Sequence, residues 1–312
     1  MSGYPSAVPS STVVALCPAC GAMGRGFATT PTGRVNALCR RCSSLERHRF
    51  LTVLMQAVVA ERPPQQLVID VAPSRQVSPL IRELRPEGYL SMDFDPDADG
   101  RLVDVVASLT DIPVADSSTS LLVCYHVLEH VPDDRKAMRE IARVLRADGV
   151  ALLQVPWRNL PTDEDPSAGP EERLARFGQA DHVRFYGHDF VSRLEESGLR
   201  VQEIVPRDVL PESITTLLGI IPAERVWICT RADSEPVDLD ALRLRVPDAL
   251  GGVVARAIEA AGTGGTVNGM NDADRWEAEA IRWKTRYETL RGRLPVRVMI
   301  AARHPFARGR GR

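Results

Sequence analysis

The stretch Ser120–Pro156, SLLVCYHVLEHVPDDRKAMREIARVLRADGVALLQVP, decides the fold of this 312-residue chain. Leu121–Cys124 is an unbroken apolar run, Tyr125-His126 interrupts it, and Met138, Ile141 and Leu145 then recur at helical spacing before Val150–Val155 turns apolar again. Short apolar runs bounded by polar breaks predict strands, and the spacing between them predicts a helix. The unit is therefore strand, loop, helix, strand. Strands that are continuously apolar rather than alternating are buried on both faces, which implies a parallel sheet with helices on each side. Pro132 and Asp133-Asp134 mark the helix start, where a carboxylate can accept from unpaired N–H groups, and Gly149 is read as its end.

The same residues carry a resemblance. HVLEHVPDD (126–134) and RVLRADGVALLQVP (143–156) resemble the fourth-to-fifth-strand region of class I S-adenosylmethionine-dependent methyltransferases of type 11, with Ala147-Asp148-Gly149 where that family prefers Pro-Gly-Gly. The resemblance implies an α/β, Rossmann-like sheet, mostly parallel with an antiparallel last strand. It also implies methyl transfer from S-adenosylmethionine.

Composition fits that class. Apolar residues make up 44% and charged residues 26%, as in ordinary globular proteins. No apolar run approaches the roughly 20 residues that span a bilayer, and residues 1–14 lack the basic start and apolar centre of a secretory signal. The expectation is a cytoplasmic protein. Net charge is −2, unevenly spread: Cys17–Arg49 holds six Lys/Arg against one Glu, and Arg282–Arg312 holds ten against one. The acidic remainder disfavours nucleic acid as a partner of the central domain, because phosphate contacts need a basic face.

Cys17-x-x-Cys20 and Cys39-x-x-Cys42 are two Cys-x-x-Cys pairs with an eighteen-residue gap, the spacing of a structural zinc site. Zinc takes four tetrahedral ligands, and each two-residue gap lets both sulfurs of one tight turn face one ion. Disulfides and plain buried thiols are the competing readings, the first disfavoured in a reducing compartment and the second by the paired spacing. Four thiolates leave no open coordination position, so the zinc is structural rather than catalytic. Arg40, Arg41 and Arg47 are placed to offset its negative charge. His48 is read as packing on a helix rather than as a ligand. The following SSLERHR, with both cysteine pairs, resembles a bacterial methyltransferase subgroup bearing an N-terminal zinc ribbon.

Gln66–Ala72 reads as the first strand of the sheet and Gly88–Asp93 as the second, with a short third strand at Leu102–Val106. The resemblance assigns cofactor contacts to Asp70 and to the turn Ala72-Pro73-Ser74, where the family ordinarily has glycines. It assigns the ribose to Asp93 with neighbouring Phe94, and the adenine edge to Thr110 and Asp111. His126, at the exit of the fourth strand, is a candidate cofactor contact and the first candidate for a catalytic base; His182 is the second. Glu129 and His130 are read as parts of the helix entrance. Alternating Asp95, Asp97 and Asp99 form a solvated acidic loop, since the EF-hand pattern is absent. After Pro156 comes a long polar segment of the kind that builds substrate lids. DHVRFYG (181–187) closes it, either binding substrate or pinning the loop.

His188–Ser197 predicts a helix, and Leu199–Val205 and Arg225–Thr230 the last two strands. The domains are then 1–14 disordered, 15–50 zinc ribbon, 51–232 methyltransferase, 233–274 linker and 275–312 an amphipathic basic helical tail. In that tail Trp276, Ala280, Trp283, Tyr287, Leu290 and Leu294, spaced four and three apart, suit self-association or a helix docked on its own domain, and the arginine-rich stretch after Pro295 suits peripheral contact with the inner membrane surface or a solvated tail. The expected substrate is a small molecule or saccharide. Two competing functions are a non-catalytic adaptor of the same fold, suggested by the glycine-free turn, and a zinc-ribbon protein that binds or modifies RNA.

Overall fold

A computed structural model describes residues 15–59, 66–85, 87–99, 103–246 and 251. Segment 1–14, the Gly-rich part of the linker and the tail 275–312 lie outside the described residues. The described residues form two compact units, one from residues 15–53 with Leu210–Pro222 and one from Leu54–Val209 with Ala223–Arg245. Among them no helix is long and apolar enough to cross a membrane.

The first unit opens on a two-residue hairpin, β1 (Ala15–Leu16) against β2 (Met23–Gly24), and holds the first turns of α1 (Glu46–Val59). The turn at Cys17 and the turn at Cys39 are built alike. In each, the residue after the second cysteine has a left-handed backbone, Gly21 at φ 71 and Ser43 at φ 60, and its N–H donates to the carbonyl of the first cysteine, at 2.8 and 2.9 Å. That bond tightens the loop until both sulfurs of a pair face one side. Arg49 is fully buried beside them, its guanidinium 3.8 Å from the Phe27 ring centre.

In the second unit a seven-stranded sheet is assembled from β3 (Leu67–Val71), β4 (Tyr89–Asp93), β5 (Val105–Val106), β6 (Thr119–Tyr125), β7 (Leu145–Gln154), β10 (Leu199–Ile204) and β11 (Val226–Arg231). Their order across the sheet is β10-β11-β7-β6-β3-β4-β5. All neighbours from β5 to β7 are parallel; β11 alone runs against the rest, pairing with both β7 and β10. Helix α2 (Ser78–Leu84) links β3 to β4, α4 (Pro170–Phe177), α5 (Phe190–Glu196) and a small ribbon of β8 (Asp163–Glu164) and β9 (Arg184–Phe185) lie between β7 and β10, and α6 (Pro206–Val209) follows β10. Strand β6 is buried along nearly its whole length, as expected of a central parallel strand.

Helix α3 (Asp134–Val144) begins as anticipated, with Asp133 accepting from the Lys136 N–H at 2.9 Å. Its Ala137, Met138, Ile141 and Val144 are fully buried in one cluster with Phe190 and Trp227 from the antiparallel side of the sheet. Each such large side chain contributes about 1.5–3 kcal/mol by leaving water. The helix does not run to Gly149. It stops at Val144, and Gly149 lies inside β7, where a Cβ would sit 2.7 Å from the Thr119 carbonyl oxygen. Glycine is required there because the backbones of two strands approach closely, not because a helix ends. Segment Leu210–Pro222, read from sequence as part of the connection between the last two strands, belongs to the first unit, where α7 (Glu212–Leu218) packs on β1.

Candidate functional site

The parallel register brings the carboxyl ends of three central strands level, with Val71 beside both Met92 and Cys124. Ala72, Asp93 and His126 therefore follow one another along a single edge. In open α/β sheets this edge, where strand order reverses, is where ligands bind. Two of these residues leave their strands with left-handed backbones, Ala72 at φ 50 and His126 at φ 56. That conformation costs roughly 1–2 kcal/mol for a residue with a Cβ. At Ala72 it is held by an N–H bond to the Met92 carbonyl at 2.8 Å, and at His126 by one to the Gln154 carbonyl at 2.8 Å. The Ser74 hydroxyl then accepts from the Val77 N–H at 3.1 Å, so the turn through Ala72, Pro73 and Ser74 closes without glycine.

The other residues singled out from sequence have the following surroundings. Asp70 is buried and accepts from the Tyr89 hydroxyl at 2.8 Å; burial and the Asp70 charge push that phenol well up. Asp93 accepts from the Asp95 N–H at 3.1 Å, and Phe94 stands 76% exposed. Thr110 shares a 2.8 Å hydrogen bond with the Ser108 hydroxyl, and Asp111 is exposed. His126 Nδ1 lies 3.2 Å from Oε1 of the buried Glu129, and His126 Nε2 is buried without a partner. His182 is also buried, with Nδ1 3.1 Å from the Phe177 carbonyl, and burial lowers its pKa. A carbonyl only accepts, so Nδ1 carries the proton and Nε2 presents a lone pair. An open groove of about 480 Å³, lined by Ser117, Gly198 and Arg231 among others, is at the opposite edge of the sheet.

Residues 89–153, from β4 to β7, match the family model for a methyltransferase domain. That segment, β4 to β7 of the central sheet, is similar to a class I methyltransferase domain. The chain is 38% identical over 52 residues to a Mycobacterium tuberculosis protein named "Probable S-adenosylmethionine-dependent methyltransferase", covering 17% of this chain and 19% of the relative. It is 32% identical over 109 residues to an uncharacterized methyltransferase of Mycobacterium sp. strain JLS, covering 32% of this chain and 42% of the relative. The matched stretches thus span less than half of these relatives. Among solved structures it is similar to an S-adenosylmethionine-dependent methyltransferase from Mesorhizobium loti, at 14% identity and TM-score 0.39, covering 57% of this chain and 98% of that one.

Two segments of the second unit are locked together beside His126. Arg184, essentially inaccessible, donates to the carbonyls of Leu128 at 2.9 Å, Val131, and Pro132 at 2.8 Å, and to Glu164 at 3.1 Å. The Tyr186 hydroxyl donates to Asp134 at 2.9 Å, and Arg193 bridges Glu164, Asp134 and Asp189. Arg184 and Tyr186 therefore pin the DHVRFYG segment against the loop after β6. Sequence left this open against substrate binding. Their donor sites are spent on carbonyls and carboxylates of the domain itself.

In the first unit the sulfurs of Cys17, Cys20, Cys39 and Cys42 lie within 4.8 Å of one another, with Cys17–Cys42 and Cys20–Cys39 each at 3.7 Å. A tetrahedron of thiolates at the usual zinc–sulfur bond of about 2.3 Å has edges near 3.8 Å. The four residues can hold a zinc ion. Without a cation they compete for protons: hydrogen bonds from Cys17 and Cys20 push the Cys39 thiol down, and Cys17 and Cys39 push Cys20 up. His48 takes no part, its Nδ1 accepting from the Leu45 N–H at 3.2 Å. The buried counter-charge is Arg49, which sequence reading missed in favour of Arg40, Arg41 and Arg47. It donates to Ala37 at 2.9 Å, Ser44 at 2.8 Å and Gly219 at 2.6 Å. Burial lowers its pKa, and the Cys17 charge partly restores it. The available signal was the run Phe50–Val53 that follows, which marks the inward face of α1.

Proposed function

We propose that this chain transfers a methyl group from S-adenosylmethionine to a small-molecule or saccharide acceptor, with the four cysteines holding one structural zinc. The observation that carries the reading is the shared edge of Ala72, Asp93 and His126, two of them in strained left-handed conformations that the fold maintains. Strain retained at strand ends marks positions where backbone direction matters.

Asp93, with a carboxylate that can accept from two neighbouring hydroxyls, would hold the ribose. The turn at Ala72, Pro73 and Ser74, together with Asp70, would face the methionine end. Phe94 offers an exposed ring, and Thr110 and Asp111 offer polar atoms, to the adenine. The cofactor supplies an electrophilic methyl on a sulfonium. The chain's own task is to position the acceptor and, where the acceptor is a hydroxyl, to take its proton. His126 is suited to that, since Glu129 stabilises its ring and Nε2 is unpartnered. His182, held neutral by burial, is the second candidate.

Isothermal titration of the full-length protein with S-adenosylmethionine and S-adenosylhomocysteine tests the reading. Both should bind, and Asp93→Ala should weaken them by about 10–100-fold, the loss of hydrogen bonds to a charged group. His126→Gln should leave that affinity alone while lowering transfer by about 10²–10⁴. Absence of binding by either ligand to folded protein would replace the enzyme with an adaptor.

A further inference from the structure

We propose that Glu129, His130 and His182 form a binding site for one divalent transition-metal cation, separate from the cysteine cluster. A ligand atom from each lies within 4.8 Å of the others. Two histidines and one carboxylate are a donor set used for zinc, manganese and ferrous ions with positions left open for other ligands.

Three observations point to an occupant. First, Glu129 Oε2 and His182 Nε2 are buried with no hydrogen-bond partner, although Glu129 and His182 are only 0% and 3% exposed. A carboxylate oxygen withdrawn from water and left unpaired is costly, and a cation removes the cost. Second, the other polar atom of each residue is already engaged. His182 Nδ1 faces the Phe177 carbonyl at 3.1 Å, His130 Nδ1 faces the Asp181 carboxylate at 3.1 Å, and Glu129 Oε1 faces His126 at 3.2 Å. A histidine whose far nitrogen donates to a carbonyl or carboxylate is the usual support of a metal ligand, because that bond fixes tautomer and ring orientation. Third, the two chain segments are clamped before any ion arrives. The Val183 N–H donates to the Glu129 carbonyl at 2.9 Å, Arg184 holds the carbonyls on either side of His130, and the His130 and His182 rings meet edge to face at 4.6 Å. Glu129 and Asp181 together supply the two negative charges that neutralise one such cation.

The site lies in the loop after β6, next to His126. A cation there would make a bound acceptor hydroxyl more acidic. Only that role rests on the methyl-transfer reading; metal occupancy does not.

The test uses full-length protein, without S-adenosylmethionine, titrated with Mn²⁺ while the electron paramagnetic resonance signal of the free ion is followed. Mn²⁺ is a hard ion that thiolates bind poorly, so the cysteine cluster does not compete. One equivalent of the free signal should disappear. His130→Ala removes a half-exposed ligand and Asp181→Asn its exposed support, so both should fold, as circular dichroism will show. Asp181→Asn should weaken Mn²⁺ by about tenfold, and His130→Ala by more. No loss of free signal in the wild-type protein, or unchanged affinity in both variants, overturns the site. A failed S-adenosylmethionine titration would leave this result standing, and the reverse.

Discussion

Two clusters of metal-ligating side chains occur among the described residues, and they are built in opposite ways. Cys17, Cys20, Cys39 and Cys42 come from two copies of one local turn. Four like ligands would leave no open position on a cation they held, and they sit with buried Arg49, Ala15 and Phe27 in the small unit. Glu129, His130 and His182 come from loops that are 52 residues apart along the chain. They are held by a buried arginine clamp and rest on a large apolar core. A closed thiolate site supplies folding energy, whereas a site carried on a preformed scaffold is free to keep positions open for chemistry.

Removing zinc from the cysteine cluster should give the largest contrast. A strong chelator should strip one zinc per chain and abolish hydrogen-exchange protection over residues 15–53, a loss on the order of 10 kcal/mol. Amides of β3, β6 and β7 should stay protected. Protection of 15–53 in metal-free protein would erase the distinction between the two clusters.

Breaking the clamp should come next. Arg184→Met leaves three carbonyls and Glu164 without their donor, and should cost about 3–5 kcal/mol in urea unfolding. A cost under about 1 kcal/mol would mean that the loops are not preorganised by Arg184. Gly149→Val tests the strand on which the clamp's neighbourhood rests. Its Cβ would meet the Thr119 oxygen at 2.7 Å, and overpacking of that kind costs about 1–3 kcal/mol; a neutral result would show that β7 can shift.

The smallest effect concerns acid. Hydrogen bonds from Arg193 hold Glu164 below the usual carboxylate range, and bonds from Thr162 outweigh burial to hold Asp189 at about 2. Both folded values lie below the unfolded ones of about 4. Their stabilisation is therefore fully present above pH ~4–5 and is lost as pH falls toward 2. His182 acts in the same direction at higher pH, since burial lowers its pKa and the unfolded chain takes up that proton first below pH ~6.5. Denaturation midpoints should fall stepwise from pH 7 to 2, and a flat profile from pH 5 to 2 would mean that the Arg193 network adds nothing.

Legibility in the sequence follows the range of each interaction. The βαβ unit at Ser120–Pro156 was readable because periodicity and capping are local, and Asp133 caps the helix as its position implied. The cysteine pairs were readable because ligand spacing is itself a local constraint. Gly149 was misread, since a glycine at a helix end and one beneath a neighbouring strand leave the same letter. Arg49 and segment Leu210–Pro222 were missed because their partners are distant in sequence: Arg49 donates to Gly219, 170 residues away. Whether DHVRFYG binds or pins was undecidable without knowing that three carbonyls wait for Arg184.

The sequence by itself determined the sheet's central strands, the resemblance to class I methyltransferases and the four-cysteine turns, all encoded within a few tens of residues by burial pattern and ligand spacing. Only the tertiary structure decided that Ala72 and His126 share one edge in left-handed conformations and that His182 meets Glu129 and His130. Those meetings depend on strand order and on a buried arginine, which are settled by packing between segments that carry no mark of each other in the chain.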